Sequence, residues 1–306
     1  MHRPLVSVVV PTYRRPQRLA MCLEALRAQS LGADAFEIVV VDDGSPTPVT
    51  LPAWSAEGGV PIRLVRQANA GPAAARNRGV AESRGSLIAF TDDDCLPAAT
   101  WLERLVAAHE EHPTALVGGT SINGLVDDLF ATSSQLIVDM VYDHFNRRRD
   151  GSAYFLTSNN ILCQRSAYLA LGGFDTSYPR AGAEDRDFCD RWRNSGRGLY
   201  WVEQALLEHR HSQSLAAFAT LHYRYGRGAY RYHAQRRQRR SGTMHDDLGF
   251  HGSMLRLLTR HLGRIPGGFR RAQIVACLGL WQCSNALGFL VEAIAERFAP
   301  KPERPV

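Results

Sequence analysis

Residues Leu5–Val10 read LVSVVV, a β-branched run closed by Pro11. A run apolar on both faces predicts a strand buried in a parallel sheet. Pro16 then opens a helix in which Leu19, Cys22, Leu23 and Leu26 recur at helical spacing. Short apolar runs at Ile38–Val41, Ile62–Val65, Leu87–Phe90 and Ala115–Val117 alternate with helical segments at Ala73–Ser83 and Ala98–His109. Strands alternating with helices predict an α/β fold: a mostly parallel sheet flanked by helices, joined by right-handed crossovers. Ligands of such sheets bind beyond the carboxyl ends of the strands. Pro11, Asp42-Asp43-Gly44-Ser45 and Asp92-Asp93-Asp94 all stand at such ends.

The second half has a different rhythm. Leu125–Phe145 is amphipathic and reads as helix, and Tyr154–Leu162 reads as extended. Glu184–Asn194 is a polar helix start, followed by a short strand at Gly198–Val202. A long helix is expected from Ser212 to Gln238, broken or bent at Gly226 and Gly228. No Ser-, Pro- or Gly-rich linker divides the chain. The expected organisation is a catalytic domain over residues 1–240 with a helical appendage over 241–306.

Composition is ordinary for a globular protein: of 306 residues, 45% are hydrophobic and 22% charged. That excludes a disordered chain, a fibre or a disulfide miniprotein. No repeat of fixed period suggests a solenoid. Six scattered cysteines without a CxxC pair exclude the usual zinc spacings and fit a reducing compartment. The apolar run near the N-terminus is too short for a signal peptide, so a cytoplasmic location is expected. The net charge of +6 comes almost wholly from arginine, because Lys301 is the only lysine. Arginine suits bidentate recognition of phosphate, although codon bias explains it equally well.

The acidic clusters carry the candidate chemistry. Asp92-Asp93-Asp94 repel one another and call for compensation, which a divalent cation held with substrate phosphates supplies. A solvated turn or a helix N-cap is the competing reading. Asp42 and Asp43 can accept from a nucleobase or ribose, or can close an Asx turn with Gly44. In Ala183-Glu184-Asp185-Arg186-Asp187 a carboxylate can serve as a general base, and the same acids suit a helix N-terminus. His209 and His211 are candidate divalent ligands or ordinary structural histidines.

The ordered set VSVVVPTYRRPQRL, VVVDDGS, NAGPAAARNRG, FTDDDC, SNN, GGFDTSYPRAGAEDRDFCDRW and ALLEHRHSQS resembles the family 2 glycosyltransferases over about Leu5 to Tyr230. The resemblance implies the GT-A nucleotide-sugar-binding fold and an inverting transfer to a hydroxyl acceptor, in glycan, glycolipid or cell-surface polysaccharide synthesis. It implies that Pro11, Thr12, Tyr13, Asp42, Asp43, Arg76, Asp92 and Asp93 bind the donor, a UDP-sugar by default. Asp92, Asp94 and His209 would hold Mg2+ or Mn2+, with His211 the competitor of His209. Asp185 would be the catalytic base, and Asn159, Asn160 and Glu184 would face the acceptor. Where relatives often carry an acid after Asp-x-Asp, this chain has Cys95. A sugar-phosphate nucleotidyltransferase is the alternative enzyme, but PTYRRPQRL lacks a Gly-rich phosphate loop. A non-catalytic sugar- or partner-binding relative is the alternative outside enzymes.

Two later features bear on partners. Arg224, Arg227, Arg231, Arg236, Arg237, Arg239 and Arg240 interleave with tyrosines, which suits an anionic membrane surface or a lipid diphosphate. No nucleic-acid-binding signature accompanies them, so nucleic acid is not an expected partner. Ile274–Leu290 is apolar but interrupted by Gln282, Ser284 and Asn285. It reads as a helix packed on the domain, lying in one leaflet, or crossing poorly. A cytoplasmic protein held peripherally on the inner face of the membrane follows.

Overall fold

A computed structural model describes residues 3–56, 58–146, 150–178 and 182–298. Residues 299–306 of the expected appendage, with Lys301, lie outside the described residues, as do 179–181 before the acidic motif.

The alternating pattern becomes one eight-stranded sheet in the order β3-β2-β1-β4-β7-β6-β8-β5. The strands are β1 (Val6–Thr12), β2 (Phe36–Asp42), β3 (Ile62–Arg66), β4 (Leu87–Phe90), β5 (Cys95–Pro97), β6 (Leu116–Asn123), β7 (Ile161–Gln164) and β8 (Leu199–His209). The first four are parallel; β1, β2 and β4 are buried along their whole length, and β3, at the edge, is half-buried. β7 is antiparallel to both β4 and β6, and β5 is antiparallel to β8. Helices α1 (Pro16–Arg27), α2 (Pro72–Glu82) and α3 (Trp101–Glu111) make the crossovers. Leu19, Leu23 and Leu26 of α1 join one core with Val6, Val8 and Val10, while Val9, Val80 and Phe90 join a second.

Several expected boundaries move. Pro11 does not end β1, which runs on to Thr12. Its pairing with β4 stops at Val9, so the proline's missing N–H leaves no partner there wanting. The extended stretch expected at Tyr154–Leu162 narrows to β7, and a three-residue strand precedes α3. The largest change is β8, expected to end at Val202. It continues through exposed Glu203 and Gln204 to His209, pairing with β6 beyond an irregularity at Gly118–Thr120. That extension sets His209 opposite Cys95.

The remaining helices are α4 (Leu129–Phe145), α5 (Arg165–Ala170), α6 (Glu184–Asn194), α7 (Leu215–Arg239), α8 (His245–Leu262) and α9 (Gly268–Phe298). Asp128 caps α4 by accepting from the amides of Phe130 and Ala131. Leu136, Met140, Phe218, Phe250, Leu257, Ile274 and Trp281 form a separate core that ties α8 and α9 to α4 and α7. Contrary to expectation, α7 is continuous through Gly226 and Gly228. The glycines serve close approach instead. A Cβ on Gly226 would strike the carbonyl of Asn285 in α9, and one on Gly228 would strike the carbonyl of Gly182.

Candidate active site

The chain leaves β1 at Thr12 and turns sharply, with Arg14 in the left-handed region at φ 60°. Non-glycine residues pay for that conformation, and such strain collects at functional turns. The turn delivers Arg15 and Arg18 onto the acidic end of β4. Arg15 Nη1 lies 3.1 Å from Asp93 Oδ1 and 3.0 Å from Asp94 Oδ2, and Arg18 Nη1 lies 3.4 Å from the latter. Thr12 Oγ1 donates to Asp93 Oδ2 at 2.7 Å.

The three aspartates face different ways. Asp93 is buried, and burial together with the neighbouring Asp94 charge pushes its carboxyl up to about 6. Burial acts upward on Asp94 as well, but hydrogen bonds from His209 and His211 hold it well below the usual carboxylate range. His209 Nε2 is 3.3 Å from Asp94 Oδ1, and His211 Nδ1 is 2.9 Å from Asp94 Oδ2. Asp92 is the most open of the three and receives Arg76 Nη2 at 2.7 Å.

Arg76 connects this cluster to the second acidic motif. Its Nη1 stands 3.6 Å from Glu184 Oε1, so one buried guanidinium spans Asp92 and the residue beside Asp185. Asp185 sits in the first turn of α6, with its Oδ1 accepting from the amide of Arg186 at 2.8 Å. Burial and the Glu184 charge raise its carboxyl to about 7, while part of the residue stays open to solvent. Ala183, two residues earlier, is left-handed at φ 70°, and the Glu184 carboxylate closes the turn by accepting from the Gly182 amide at 2.7 Å.

Asp43 joins the cleft through its backbone amide, which donates to the Thr12 carbonyl at 2.9 Å. Its carboxylate accepts from Gln67, Asn69 and the amides of Ala70 and Gly71, and so organises the loop into α2. Asp42 accepts from the Ser45 amide at 2.9 Å, the turn reading of that motif. Pro11 is buried in β1 and Tyr13 is exposed beside it.

Two expected acceptor-side residues fare differently. Asn160 cannot face an acceptor: it is wholly buried, accepting from Trp101 Nε1 at 2.7 Å and donating to the Ala205 carbonyl at 3.3 Å. Asn159 lies next to the acidic cluster, its Nδ2 3.5 Å from Cys95 Sγ.

Arg15 and Arg18 are cleft residues that the sequence pattern did not single out, whereas Cys95 stood out only as the residue after Asp-x-Asp. The Arg14-Arg15 pair directly after a strand that ends in the cleft was the available signal for Arg15, and Arg18 follows it by one helical turn. Ligand atoms of Asp94, Cys95 and His209 all lie within 4.8 Å of one another. Burial raises the Cys95 thiol well above its usual value, so it stays protonated and is a poor ligand for a hard cation. Carboxylate and imidazole remain, which suits a divalent ion completed by substrate phosphates.

The basic stretch is largely consumed within the protein. Arg239 pairs with Asp187 at 2.8 Å and with Asp190 at 3.1 Å, and Arg236 pairs with Asp190 at 3.3 Å. Arg227 and Arg231 both pair with Glu292 of α9. Residues Arg224, Arg237 and Arg240 are exposed.

Comparison with known proteins fits this geometry. The model of the family described as Glycosyl transferase family 2 matches residues 7–172. A pre-mycofactocin glycosyltransferase of Mycobacterium tuberculosis is 30% identical over 215 residues, covering 69% of this chain and 43% of the relative. Glycosyltransferase AglE of Haloferax volcanii is 35% identical over 119 residues, covering 38% of this chain and 39% of the relative. The chain therefore spans less than half the length of these two relatives. Among solved structures, mannosyltransferase PcManGT of Pyrobaculum calidifontis, in complex with GDP-Man and Mn2+, superposes with a TM-score of 0.58 at 18% identity. That match covers 98% of this chain and 82% of the other. S. aureus TarS gives 0.54 at 16% identity, covering 97% and 92%. At such identities the likeness establishes the fold, which is GT-A. With the family's model matching more than half of its residues, the chain belongs to glycosyltransferase family 2.

Proposed function

We propose that the protein transfers a sugar from a nucleotide-sugar to a hydroxyl acceptor, with inversion at the anomeric carbon and with a divalent cation. The observation that carries this reading is Arg76, which holds Asp92 at 2.7 Å and Glu184 at 3.6 Å. It joins the Asp-x-Asp cluster and the Asp185 motif, 93 residues apart by number, into one cleft at the strand ends. Asp185 removes the acceptor proton as the acceptor oxygen attacks and the diphosphate departs, and a single displacement inverts the configuration. A carboxyl raised to about 7 is half ionised near neutral pH, where a base is most effective. Asp94 and His209 are the residues that would hold Mn2+ or Mg2+, with Asp92 as the outer partner. The cation, when bound, neutralises charge gathering on the leaving diphosphate. Thr12, Tyr13, Asp43 and Arg76 line the donor side, and Asn159 and Glu184 the acceptor side.

The resemblance suggests a UDP-sugar, whereas the mannosyltransferase neighbour carries GDP-Man with Mn2+. A thermal-shift screen of nucleoside diphosphates with and without Mn2+ distinguishes them. A nucleotide-specific stabilisation that needs the metal is expected. No shift with any nucleotide, with or without metal, contradicts the donor reading.

We also read the protein as peripheral on the inner face of the cell membrane, acting there on a carbohydrate or lipid-linked acceptor of a glycan or glycolipid pathway. α9, about 46 Å long by helical rise, is long and apolar enough to cross a bilayer. Its inner face packs along α7, and Glu292 is paired there with Arg227 and Arg231. The middle of its apolar stretch is packed on α7, with Gly226 against Asn285 and Gly288 against Tyr223, so crossing would have to strip this face from α7, and an in-plane position fits better. The outward residues Phe269, Val275, Leu287, Leu290, Ile294 and Phe298 form the apolar side that would enter the leaflet.

A further inference from the structure

We propose that Arg15, helped by Arg18, is a guanidinium latch on the Asp93–Asp94 carboxylates. The divalent cation displaces it, and the displaced Arg15 then binds the donor diphosphate. The inference rests on the proposed metal site and names the residue that couples metal and donor.

The lone pairs of Asp94 are already engaged by protein donors. A carboxylate offers about four acceptor positions. At Asp94, four protein groups approach them: Arg15 at 3.0 Å, Arg18 at 3.4 Å, His211 at 2.9 Å and His209 at 3.3 Å. Asp94 is itself buried, so little else can reach it. Three of them, Arg15, Arg18 and His211, converge on Oδ2, while His209 alone faces Oδ1. With two lone pairs on Oδ2, a cation that takes this oxygen must remove one of the three.

The histidines are the less movable pair. His209 ends β8, where it is registered against both Cys95 and Asn123, and the Arg210 amide donates to the Asp94 carbonyl at 2.8 Å. Arg15 is held differently. It stands at the N-cap of α1 after the left-handed Arg14, and its side chain is 40% exposed. Its release costs two carboxylate contacts and no backbone pairing. A freed guanidinium at this rim faces the place where a diphosphate meets Asp94 and His209, and its planar fork matches phosphate oxygens.

The latch has opposite effects on the two ligands. It competes with the cation when the cation is alone, and it adds a phosphate contact once the donor arrives. Cation and nucleotide therefore bind with positive coupling, and Arg15 carries much of it.

The test follows Mn2+ binding by electron paramagnetic resonance on the full chain. Wild type is compared with Arg15→Gln, Arg15→Lys and Arg14→Asn, alone and with UDP or GDP. Arg14 is exposed and one position away, and asparagine tolerates its left-handed backbone, so that variant removes equal charge without touching the latch. Arg15→Gln is expected to bind Mn2+ alone about 10-fold more tightly, and the nucleotide at saturating Mn2+ about 10-fold more weakly, the scale of one charge-assisted contact. Arg15→Lys keeps the charge without the fork and shows the same two changes at smaller size. Arg14→Asn stays within about twofold of wild type on both measures. An equal Mn2+ gain in Arg15→Gln and Arg14→Asn makes the effect a general field and overturns the latch. So does unchanged Mn2+ affinity in Arg15→Gln. Absence of Mn2+ binding in every protein, with or without nucleotide, overturns the metal site itself.

Discussion

Asp185 is a carboxylate placed where ionising is costly. Shielded from solvent on most sides and next to Glu184, it binds its proton up to about pH 7. Because the folded value is raised, the basic form is present above that pH and is lost as pH falls through it. The expected pH profile of kcat/KM therefore rises to a plateau with a midpoint near 7, rather than near the usual 4. A midpoint below 5 in the free enzyme removes Asp185 from the role. Asp94 is tuned in the opposite direction, since its two histidines keep it ionised far into acid. Replacing it with alanine is expected to weaken Mn2+-dependent nucleotide binding by about 10-fold or more. Calorimetry with and without Mn2+ checks this, and equal affinities for wild type and Asp94→Ala count against it. At this scale the acidic motifs were legible because carboxylates at strand ends point to ligand chemistry. Side-chain pairing was not. Nothing in the sequence said that Arg76 would bridge Asp92 to Glu184, or that Asn160 would be spent on Trp101 and Ala205.

Elements placed far from the cleft also position it. α7 passes so close to the loop before α6 that Gly228 has no room for a Cβ against the Gly182 carbonyl. Gly228→Ala must push either α7 or the Gly182 turn that leads into Asp185 at the start of α6. A loss of about 1–3 kcal/mol in denaturant unfolding is expected, together with a fall in kcat. Gly252 in α8 supplies the contrast, because nothing lies within 4 Å of its Cβ position. Gly252→Ala is expected to stabilise by about 0.5–1 kcal/mol and leave kcat unchanged. Equal behaviour of the two variants argues that the contact at Gly182 is unimportant. Gly226 and Gly228 were read from sequence as a break in the helix, since glycine weakens a helix in isolation. Here tertiary packing wins, because the missing side chains let α7 meet α9 and the loop. Strand β8 teaches a related lesson. Its polar middle hid it, yet pairing with β6 and β5 carries it to His209. The parallel core strands were legible because burial on both faces leaves a continuous apolar run.

For the whole molecule, the distribution of charge decides how it meets a membrane. The basic stretch looked like an anionic-lipid footprint in sequence. In the fold, Arg227, Arg231, Arg236 and Arg239 are paired with Glu292, Asp187 and Asp190. Apolar contact by α9, more than charge, is then the main attraction. Flotation with phosphatidylglycerol-containing vesicles is expected for the wild type, with only modest loss in high salt. The exposed pair Leu287 and Leu290 sits on the outer side of α9. Changing both to glutamate is expected to cut vesicle binding about 10-fold or more without changing solubility or fold. Flotation unaffected by that change contradicts the in-plane reading.

One cleft, one cation site and one base together require that the protein release a nucleoside diphosphate from a nucleotide-sugar only while Asp185 is intact. The direct measurement is diphosphate release with Mn2+ across a panel of nucleotide-sugars, for wild type and Asp185→Asn, beside nucleotide affinity for both. Release by the wild type, a fall of about 10²-fold or more in the variant and unchanged nucleotide affinity are the predicted results. Wild-type turnover in Asp185→Asn contradicts the account.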